Sequence, residues 1–302
     1  LENLPSVKFH SDSDTEVVAI AFDHFGISKA FSLFDSMHSM AIYDRVENSL
    51  TLSVDRLREK PLYYSYTPNE CIAFSSSIYS LVAGSDSSSC LSRNHLFQYI
   101  SFGFIPSPFT AYSNIRKLEP GSYLTVKLDN FIASLRQYPD IAENIYSGPV
   151  LSFHDAKNQL KDILIRTCDS RLASSVPTCL LLSGGIDSSL IASICSSLNS
   201  NLESYSIGFS TDLSENIHAE KVASILGLKH ASINCSTDDI RKAFDILPLI
   251  YDDIISDPSA LPTTLIYSSI KNYKVFLTGD GADEFFGGYN RYRFGTSFMS
   301  PV

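Results

Sequence analysis

Positive charge is scarce in this sequence: 23 lysines and arginines stand against 33 aspartates and glutamates, for a net charge of −10 over 302 residues. No Lys/Arg cluster offsets the imbalance locally, so the electrostatic footprint of a polyphosphate-backbone binder is missing, and nucleic acid is not an expected partner. No apolar run approaches the roughly 20 residues of a membrane span, so no membrane partner is expected either. The first residues, LENLPSVKFHSDSD, have neither the basic start nor the apolar stretch of a signal peptide, and the expected compartment is the cytoplasm. The six cysteines, Cys71, Cys90, Cys168, Cys179, Cys195 and Cys235, include no CxxC pair. They read as reduced, mostly buried thiols, with no disulfide frame and no zinc site. Internal repeats and low-complexity tracts are also missing.

What remains is a globular composition. Hydrophobic residues make up 44% of the chain and aromatics 12%, enough for real cores, and the length accommodates two domains. The character of the sequence changes near residue 150. Before it, alternating segments such as MAIYD (40–44) and LTLSVD (50–55) flank the turn-like Arg45-Val46-Glu47-Asn48, and LYYSY and IAFSSS flank Thr67-Pro68-Asn69-Glu70, a pattern of antiparallel sheet with some helix. After it, strand-like TCLLL, ESYSIGF, KHASINC and KVFLT alternate with helical segments starting near Ser188, ending at Gly227 and starting near Asp238. Such alternation predicts an α/β domain with a doubly wound parallel sheet. The join is expected across residues 141–151, where Gly148-Pro149 break structure and Ser152 with Asp155 forms a capping-box-like start to the next helix. The expected domains are therefore 1–145 and 152–302.

The most informative stretch is CLLLSGGIDSSLIASICSSL, residues 179–198. A tight turn from a parallel strand into a helix leaves several N–H groups unpaired and pointing at one spot, with the helix dipole behind them. Gly184 and Gly185 permit backbone conformations closed to other residues and let an oxygen approach, while Ser183, Ser188 and Ser189 add hydroxyl donors without bulk. A phosphate or pyrophosphate fits such a turn. It is not the common P-loop, since GxxxxGK[ST] is missing and the loop has no lysine. Asp187 stands there instead, and a carboxylate beside phosphates makes sense chiefly through Mg2+. A second stretch repeats the logic: TGDGADEFFGG (278–288) follows strand-like KVFLT, with glycines at 279 and 281 and acids at 280, 283 and 284. Loops at the carboxyl ends of neighbouring strands converge in a doubly wound sheet, so Asp187 and Asp283 could share one magnesium ion. The plain alternative is a strand-to-helix turn built of small residues and a solvated acidic loop.

SGGIDSS, SIGF (206–209), DPSALPT (257–263) and GDGADEFFGGY (279–289) together resemble the synthetase domain of glutamine-hydrolysing asparagine synthetases, in particular the asparagine-synthetase-like amidotransferases, which are N-type ATP pyrophosphatases. Upstream, SDTEV (13–17), DRLREKPLYY (55–64), FGFIPSPFT (102–110) and RKLEPGSYLTV (116–126) resemble the end of a class II glutaminase domain and its connection onward. The resemblance implies a partial, antiparallel β-rich glutaminase half before the doubly wound synthetase half. It also implies a reaction: a carboxylate attacks the α-phosphate of ATP, giving an acyl-adenylate and pyrophosphate, and ammonia from glutamine then displaces AMP to leave an amide. The implied partners are ATP with Mg2+, an acceptor such as aspartate, and glutamine or ammonia; a homodimer is one assembly left open.

By the same resemblance, Ser183, Gly184, Gly185, Ser188 and Ser189 hold pyrophosphate, and Asp187 and Asp283 ligate Mg2+. Leu182 and Gly208 offer backbone groups to the nucleotide, or are merely core residues at strand ends. Gly279 lines the acyl-adenylate site. Asp280, between two glycines, holds the position where the amide-forming relatives carry a carboxylate and β-lactam synthetases a tyrosine, which points to a catalytic role, or it braces the glycine turn. Asp14 corresponds to the residue that binds the glutamine amino group, or it is the N-cap of the helix through TEVVAIAF.

Departures from the pattern accompany the matches. The N-terminal cysteine, arginine and Asn-Gly pair of class II glutaminases do not precede SDTEV, and the lysine that supports pyrophosphate in relatives does not follow GGYNRYRF. Both ends are therefore expected to be truncated, and this chain is expected to release no glutamate from glutamine. Arg58 stands where DRxGxKPLYY has glycine, so the local turn is expected to differ. The competing readings are a β-lactam-synthetase-like adenylating ligase and an inactive fragment or relic; the intact glycines and acids of both loops argue against long decay.

Overall fold

The computed structural model describes residues 7–84, 90–138, 149–174, 176–209, 214–290 and 292, without the side chains of 214 and 215. The chain divides into two compact units. Unit 1 comprises Leu1–Pro149 with Tyr251–Ser256, and unit 2 comprises Val150–Ile250 with Asp257–Val302. The expected join at 141–151 falls largely on residues 139–148, outside the described residues.

In unit 1, two helices, α1 (Asp14–Phe25) and α2 (Ile27–Leu33), precede four strands, β1 (Ser39–Asp44), β2 (Ser49–Val54), β3 (Tyr63–Thr67) and β4 (Cys71–Ser75). Helices α3 (Ile78–Ala83) and α4 (Arg93–Phe102) follow, then β5 (Arg116–Lys117), β6 (Ser122–Lys127) and β7 (Ile132–Gln137). The strands form antiparallel sheets ordered β1-β2-β6-β7 and β4-β3-β5. Alternation sets their inward faces: Leu52, Val54, Leu124 and Val126 of the first sheet pack against Leu62 and Tyr64 beside the second, a period-two pattern. The turn between β1 and β2 is fixed locally. Asp44 Oδ1 accepts from the amides of Val46 and Glu47, both at 2.9 Å, as in an Asx turn, and Asn48 takes a positive φ of 42°, a conformation asparagine tolerates.

On the other face of the first sheet, Phe31, Tyr123 and Tyr138 form an aromatic cluster with Phe22 and Phe34 of the helical layer. His38, 7% exposed, stacks on Phe31 and lies 2.9 Å through Nε2 from the Tyr138 hydroxyl. Burial pushes its imidazole below the ordinary value, against the opposing pull of the Asp55 carboxylate. A depressed folded-state pKa means that the native state binds fewer protons than the unfolded chain, so His38 contributes stability above the unfolded value of about 6.5 that is lost as pH falls through it. The expected outcome is an imidazole NMR titration midpoint below 6.5, with a denaturant midpoint that falls from pH 7 to 5 by less in His38→Gln than in the parent.

Asp55, 1% exposed, organises the loop before β3: its carboxylate accepts from the amides of His38, Leu57, Glu59 and Lys60 at 2.9–3.1 Å. Arg58 sits in this loop at φ 55°, the left-handed region that glycine enters without strain. An arginine thus occupies a backbone conformation that favours glycine. It does so at a cost, since its Nε and Nη2 are buried without a hydrogen-bond partner, offset in part by its stacking over Tyr63 at 5.0 Å. Left-handed strain of about 1–2 kcal/mol outweighs the greater unfolded-state freedom of glycine. Arg58→Gly is expected to stabilise unit 1 by about 1 kcal/mol, read as a raised melting temperature; a lowered one would contradict this.

Unit 1 also contains residues from late in the chain. Asp252 accepts from Ser77 Oγ and the Ile78 amide, both at 3.1 Å, at the start of α3. The buried Lys117 ammonium donates to the Ile105 carbonyl at 2.6 Å and pairs with Asp253.

Unit 2 begins with α5 (Phe153–Leu172), capped by Ser152, whose Oγ accepts from the Asp155 amide at 3.1 Å and donates to its carboxylate at 2.6 Å. Strands β8 (Thr178–Leu181), β9 (Glu203–Phe209), β10 (Lys229–Cys235) and β11 (Val275–Leu277) form one parallel sheet ordered β10-β9-β8-β11. Helices α6 (Ile186–Leu198) and α7 (Ser214–Leu226) connect the first three strands, and α8 (Thr237–Ile250), α9 (Ala260–Ser269) and the short α10 (Ala282–Phe286) complete the unit. Leu180, Leu182, Ala192, Cys195, Ala219 and Ala223 bury one face of the sheet against α5, α6 and α7. Ile207, Phe209, Ile233 and Cys235 pack the opposite face against Ala243 of α8 and Leu265 of α9. A parallel sheet covered on both sides is the α/β arrangement that alternating strands and helices produce. Four cysteines are buried, while Cys71 and Cys90 are exposed; burial pushes the Cys179 and Cys195 thiols up to about 12, which leaves them unreactive. Among the described residues no helix is long and apolar enough to cross a membrane.

Candidate active site at the carboxyl ends of the parallel strands

Leaving β8, the chain turns through Leu182, Ser183 and Gly184 into α6, whose N-cap is Gly185 with no side-chain cap. The amides of the first turn are thus left without an internal or side-chain partner. Hydroxyls shape the loop: Ser183 and Ser188 Oγ lie 2.9 Å apart, Gly185 N–H donates to Ser183 Oγ at 3.3 Å, and Ser183 N–H donates to Ser188 Oγ at 3.3 Å. The neighbouring loop after β11 comes into contact with this turn. A Cβ on Gly279 would lie 2.8 Å from the Ser188 nitrogen and 3.0 Å from the Asp187 backbone carbon, a separation only a glycine permits. Gly281, at φ 89°, starts α10. The adjacency follows from the sheet order, in which β8 and β11 are neighbours.

A cavity of about 800 Å³ opens where these loops meet. Ser183, Gly185, Asp187 and Ser188 border it on one side, and Gly279, Asp280, Gly281 and Asp283 on another. Tyr205 and Ile207 of β9 form its wall with Pro262, Thr263 and Ile266 of α9. Asp187, Asp257, Asp280, Asp283 and Glu284 all line it, and no lysine or arginine does among the described residues. The carboxylates of Asp187, Asp280 and Asp283 make no ion pair among the described residues. Asp280 is exposed, and its backbone amide, not its carboxylate, is bonded, donating to Thr278 Oγ1 at 3.1 Å. Gly288 leaves room for Asp283, because a Cβ there would sit 1.7 Å from Asp283 Oδ1. Near the wall, Glu203 accepts from Tyr273 OH at 2.6 Å and Tyr205 OH at 2.9 Å, and these bonds, Tyr273 first, hold its carboxyl below the usual range.

Not every expected site residue reaches the cavity. Leu182 does, although it is 1% exposed, with its amide donating to Tyr205 O at 2.8 Å. Gly184, Ser189 and Gly208 are not on the lining. Gly184, at φ 80°, meets α7, where a Cβ would lie 2.7 Å from His218 Cβ and 2.8 Å from the Ala219 nitrogen. Gly208 meets Asn216, whose Nδ2 would be 2.1 Å from an added Cβ. Ser189 Oγ is buried without a partner among the described residues. In unit 1, Asp14 is exposed on the first turn of α1. It is not the cap: Ser13 is, accepting from the Thr15 amide, which corrects the capping alternative for Asp14. The sequence reading left out the apolar wall of Tyr205, Ile207, Pro262 and Ile266, although DPSALPT, which supplies part of it, was legible as a motif.

The asparagine synthase domain family matches residues 159–300, and the glutamine amidotransferase domain family matches residues 2–138. Asparagine synthetase [glutamine-hydrolyzing] 1 of Bacillus subtilis is 32% identical over 94% of this chain and 44% of its own length. Putative asparagine synthetase [glutamine-hydrolyzing] 2 of Methanocaldococcus jannaschii is 30% identical over 95% of this chain and 57% of its own. The chain thus spans about half the length of these curated relatives. A solved glutamine-dependent NAD+ synthetase from Acinetobacter baumannii aligns with 96% of this chain and 69% of its own at 12% identity, but its TM-score of 0.35 defines no common arrangement. With the two domain matches in order along nearly all its length, the chain belongs to the asparagine-synthetase-like family.

Proposed function

We propose that unit 2 is an N-type ATP pyrophosphatase domain that activates a carboxylate by adenylation for amidation, and that unit 1 is the corresponding part of a class II glutaminase domain. The observation that carries this reading is the contact of Gly279 with the first turn of α6, which gathers an uncapped helix N-terminus and the carboxylates of Asp187, Asp280 and Asp283 around one cavity.

In this reading Mg-ATP lies with its phosphates over residues 183–189. Amides of the α6 first turn and the hydroxyls of Ser183 and Ser188 receive the pyrophosphate, aided by the helix dipole. Leu182 offers backbone to the nucleotide. Gly184, Ser189 and Gly208 act from behind, by shaping the loop. Gly279 keeps space beside the acyl group open. Mg2+ fits the donor set: among the described residues no three or more His, Cys, Asp or Glu form a metal cage, yet a magnesium ion shared with substrate phosphates needs only one or two protein carboxylates. Asp187 and Asp283 would hold it, and when bound it neutralises charge on the separating phosphates. The Asp280 carboxylate accepts a proton as ammonia attacks the activated acyl group. Asp14 is assigned to the amino group of glutamine, from which ammonia derives. The substrates are thus ATP, an acceptor such as aspartate, and glutamine or ammonia.

Product analysis tests the reading. Aspartate, ammonia and Mg-ATP should give amide, AMP and pyrophosphate in equal amounts; ADP and phosphate in their place would mean attack at the γ-phosphate and would overturn adenylation.

A further inference from the structure

Polar groups between β9, β10 and α7, of which Ser206 also borders the cavity, form a connected set that the proposed chemistry does not use. On the α7 face of the sheet, Ser206 Oγ donates to Asn216 Oδ1 at 2.8 Å, and Asn216 Nδ2 donates to Asn234 Oδ1 at 3.1 Å. One side chain near the start of α7 thereby ties β9 to β10. Asn216 is 4% exposed, and it occupies the space that Gly208 leaves vacant, as the 2.1 Å approach of its Nδ2 to an added Cβ requires. Half a turn further along α7, His218 and Ala219 press on Gly184 of the glycine loop at 2.7–2.8 Å. The helix is therefore seated on two glycines at once, one at the end of β9 and one in the loop that enters α6.

Buried polar groups are costly unless bonded, and a satisfied network specifies one arrangement of the elements that contribute to it. Here the contributing elements are β9, β10 and α7, with His230 beside Ser206: its Nδ1 is 2.9 Å from Ser204 Oγ and its Nε2 3.1 Å from Ser206 Oγ. An apolar residue at 216 would leave Ser206 and Asn234 short of a partner and free α7 to shift on Gly184.

We propose that Asn216 is a positioning residue for the glycine loop: by locking α7 between Ser206 and Asn234 over Gly208, it fixes His218 and Ala219 against Gly184 and so sets the shape of the turn from Ser183 to Ser189. For nucleotide affinity the inference rests on the reading of the cavity as the Mg-ATP site; for loop shape it does not. Gly208 is then a seat for Asn216, which explains why a glycine lies there although it does not line the cavity.

The test is amide hydrogen exchange in the chain without ligand, followed by Mg-ATP titration. Asn216→Ala should speed exchange at Ser183, Gly185 and Ser189 by about tenfold or more while the β8 amides keep their protection. Gly208→Ala, which displaces the Asn216 amide, should produce the same local pattern. Combining it with Asn216→Ala should add little, because the obstruction and its target are then both gone. Mg-ATP affinity should fall in parallel with the loop exchange, and Asn216→Gln should restore neither, being one methylene too long for the gap over Gly208. If Asn216→Ala unfolds the unit, Gly208→Ala alone carries the comparison. Unchanged loop exchange in both variants would overturn the positioning role. Changed exchange with no Mg-ATP binding in the parent would uphold the positioning role and overturn the nucleotide reading.

Discussion

Replacing Asp280 by asparagine is expected to lower amide formation from aspartate and ammonia by about 10²- to 10⁴-fold, the usual contribution of a positioned proton acceptor, with Mg-ATP affinity nearly unchanged. Two features of the structure set this expectation. Asp280 lines the cavity between Gly279 and Gly281, and its carboxylate makes no hydrogen bond among the described residues, the turn being braced instead by its backbone amide on Thr278 Oγ1. A residue that only braced the turn through that amide would tolerate asparagine, which keeps the backbone and the side-chain shape. A loss confined to the amidation step, with pyrophosphate release retained, is the signature of a group acting on ammonia. Equal activity in Asp280→Asn, or an equal loss of ATP affinity, would place Asp280 in the scaffold.

The glycine loops were legible because their chemistry is local: a strand, two glycines, small hydroxyls and an acid specify a turn whatever surrounds it. The same holds for the hairpin at Asp44 and Asn48 and for the Ser152 cap, each fixed by residues a few positions apart. Alternation was enough for β1 to β4, where inward residues such as Leu52 and Val54 repeat every second position, and the succession of strand-like and helical segments was enough for the four parallel strands, while β5, β6 and β7 were not named from the sequence.

Other features depend on residues far apart in the chain, and no local pattern announces them. Asp252 and Asp253 bond Ser77 and Lys117 more than a hundred positions away, so the membership of residues 251–256 in unit 1 was not readable. Gly184 and Gly208 were read as phosphate and nucleotide contacts because glycine signals close approach without naming the approaching atom. In the structure that atom belongs to α7 in both cases. For α1 the sequence offered Asp14 as the cap, whereas Ser13, one residue earlier and an equally good N-cap, takes that place because its side chain turns back to the Thr15 amide. The apolar wall of the cavity was missed because Tyr205, Ile207 and Ile266 look like core residues of any strand or helix.

In the proposed function the turn from Ser183 to Ser189 holds the phosphates of Mg-ATP with help from Asp187. Asp187 lies in the first turn of α6, borders the cavity and forms no ion pair among the described residues. Without a cation, its charge would repel a polyphosphate across a cavity that already contains four other carboxylates; with Mg2+ between them, it becomes an attraction. Removal of one of the one or two protein carboxylates that such an ion uses would weaken its hold and that of the phosphates it bridges. Isothermal calorimetry with Mg-ATP, run on parent and Asp187→Ala proteins of matched melting temperature, measures this directly. Binding to the parent should be saturable, weakened on the order of 100-fold or more in Asp187→Ala, and lost from the parent when Mg2+ is chelated. Equal affinity in the two proteins, or parent binding indifferent to Mg2+, would contradict it.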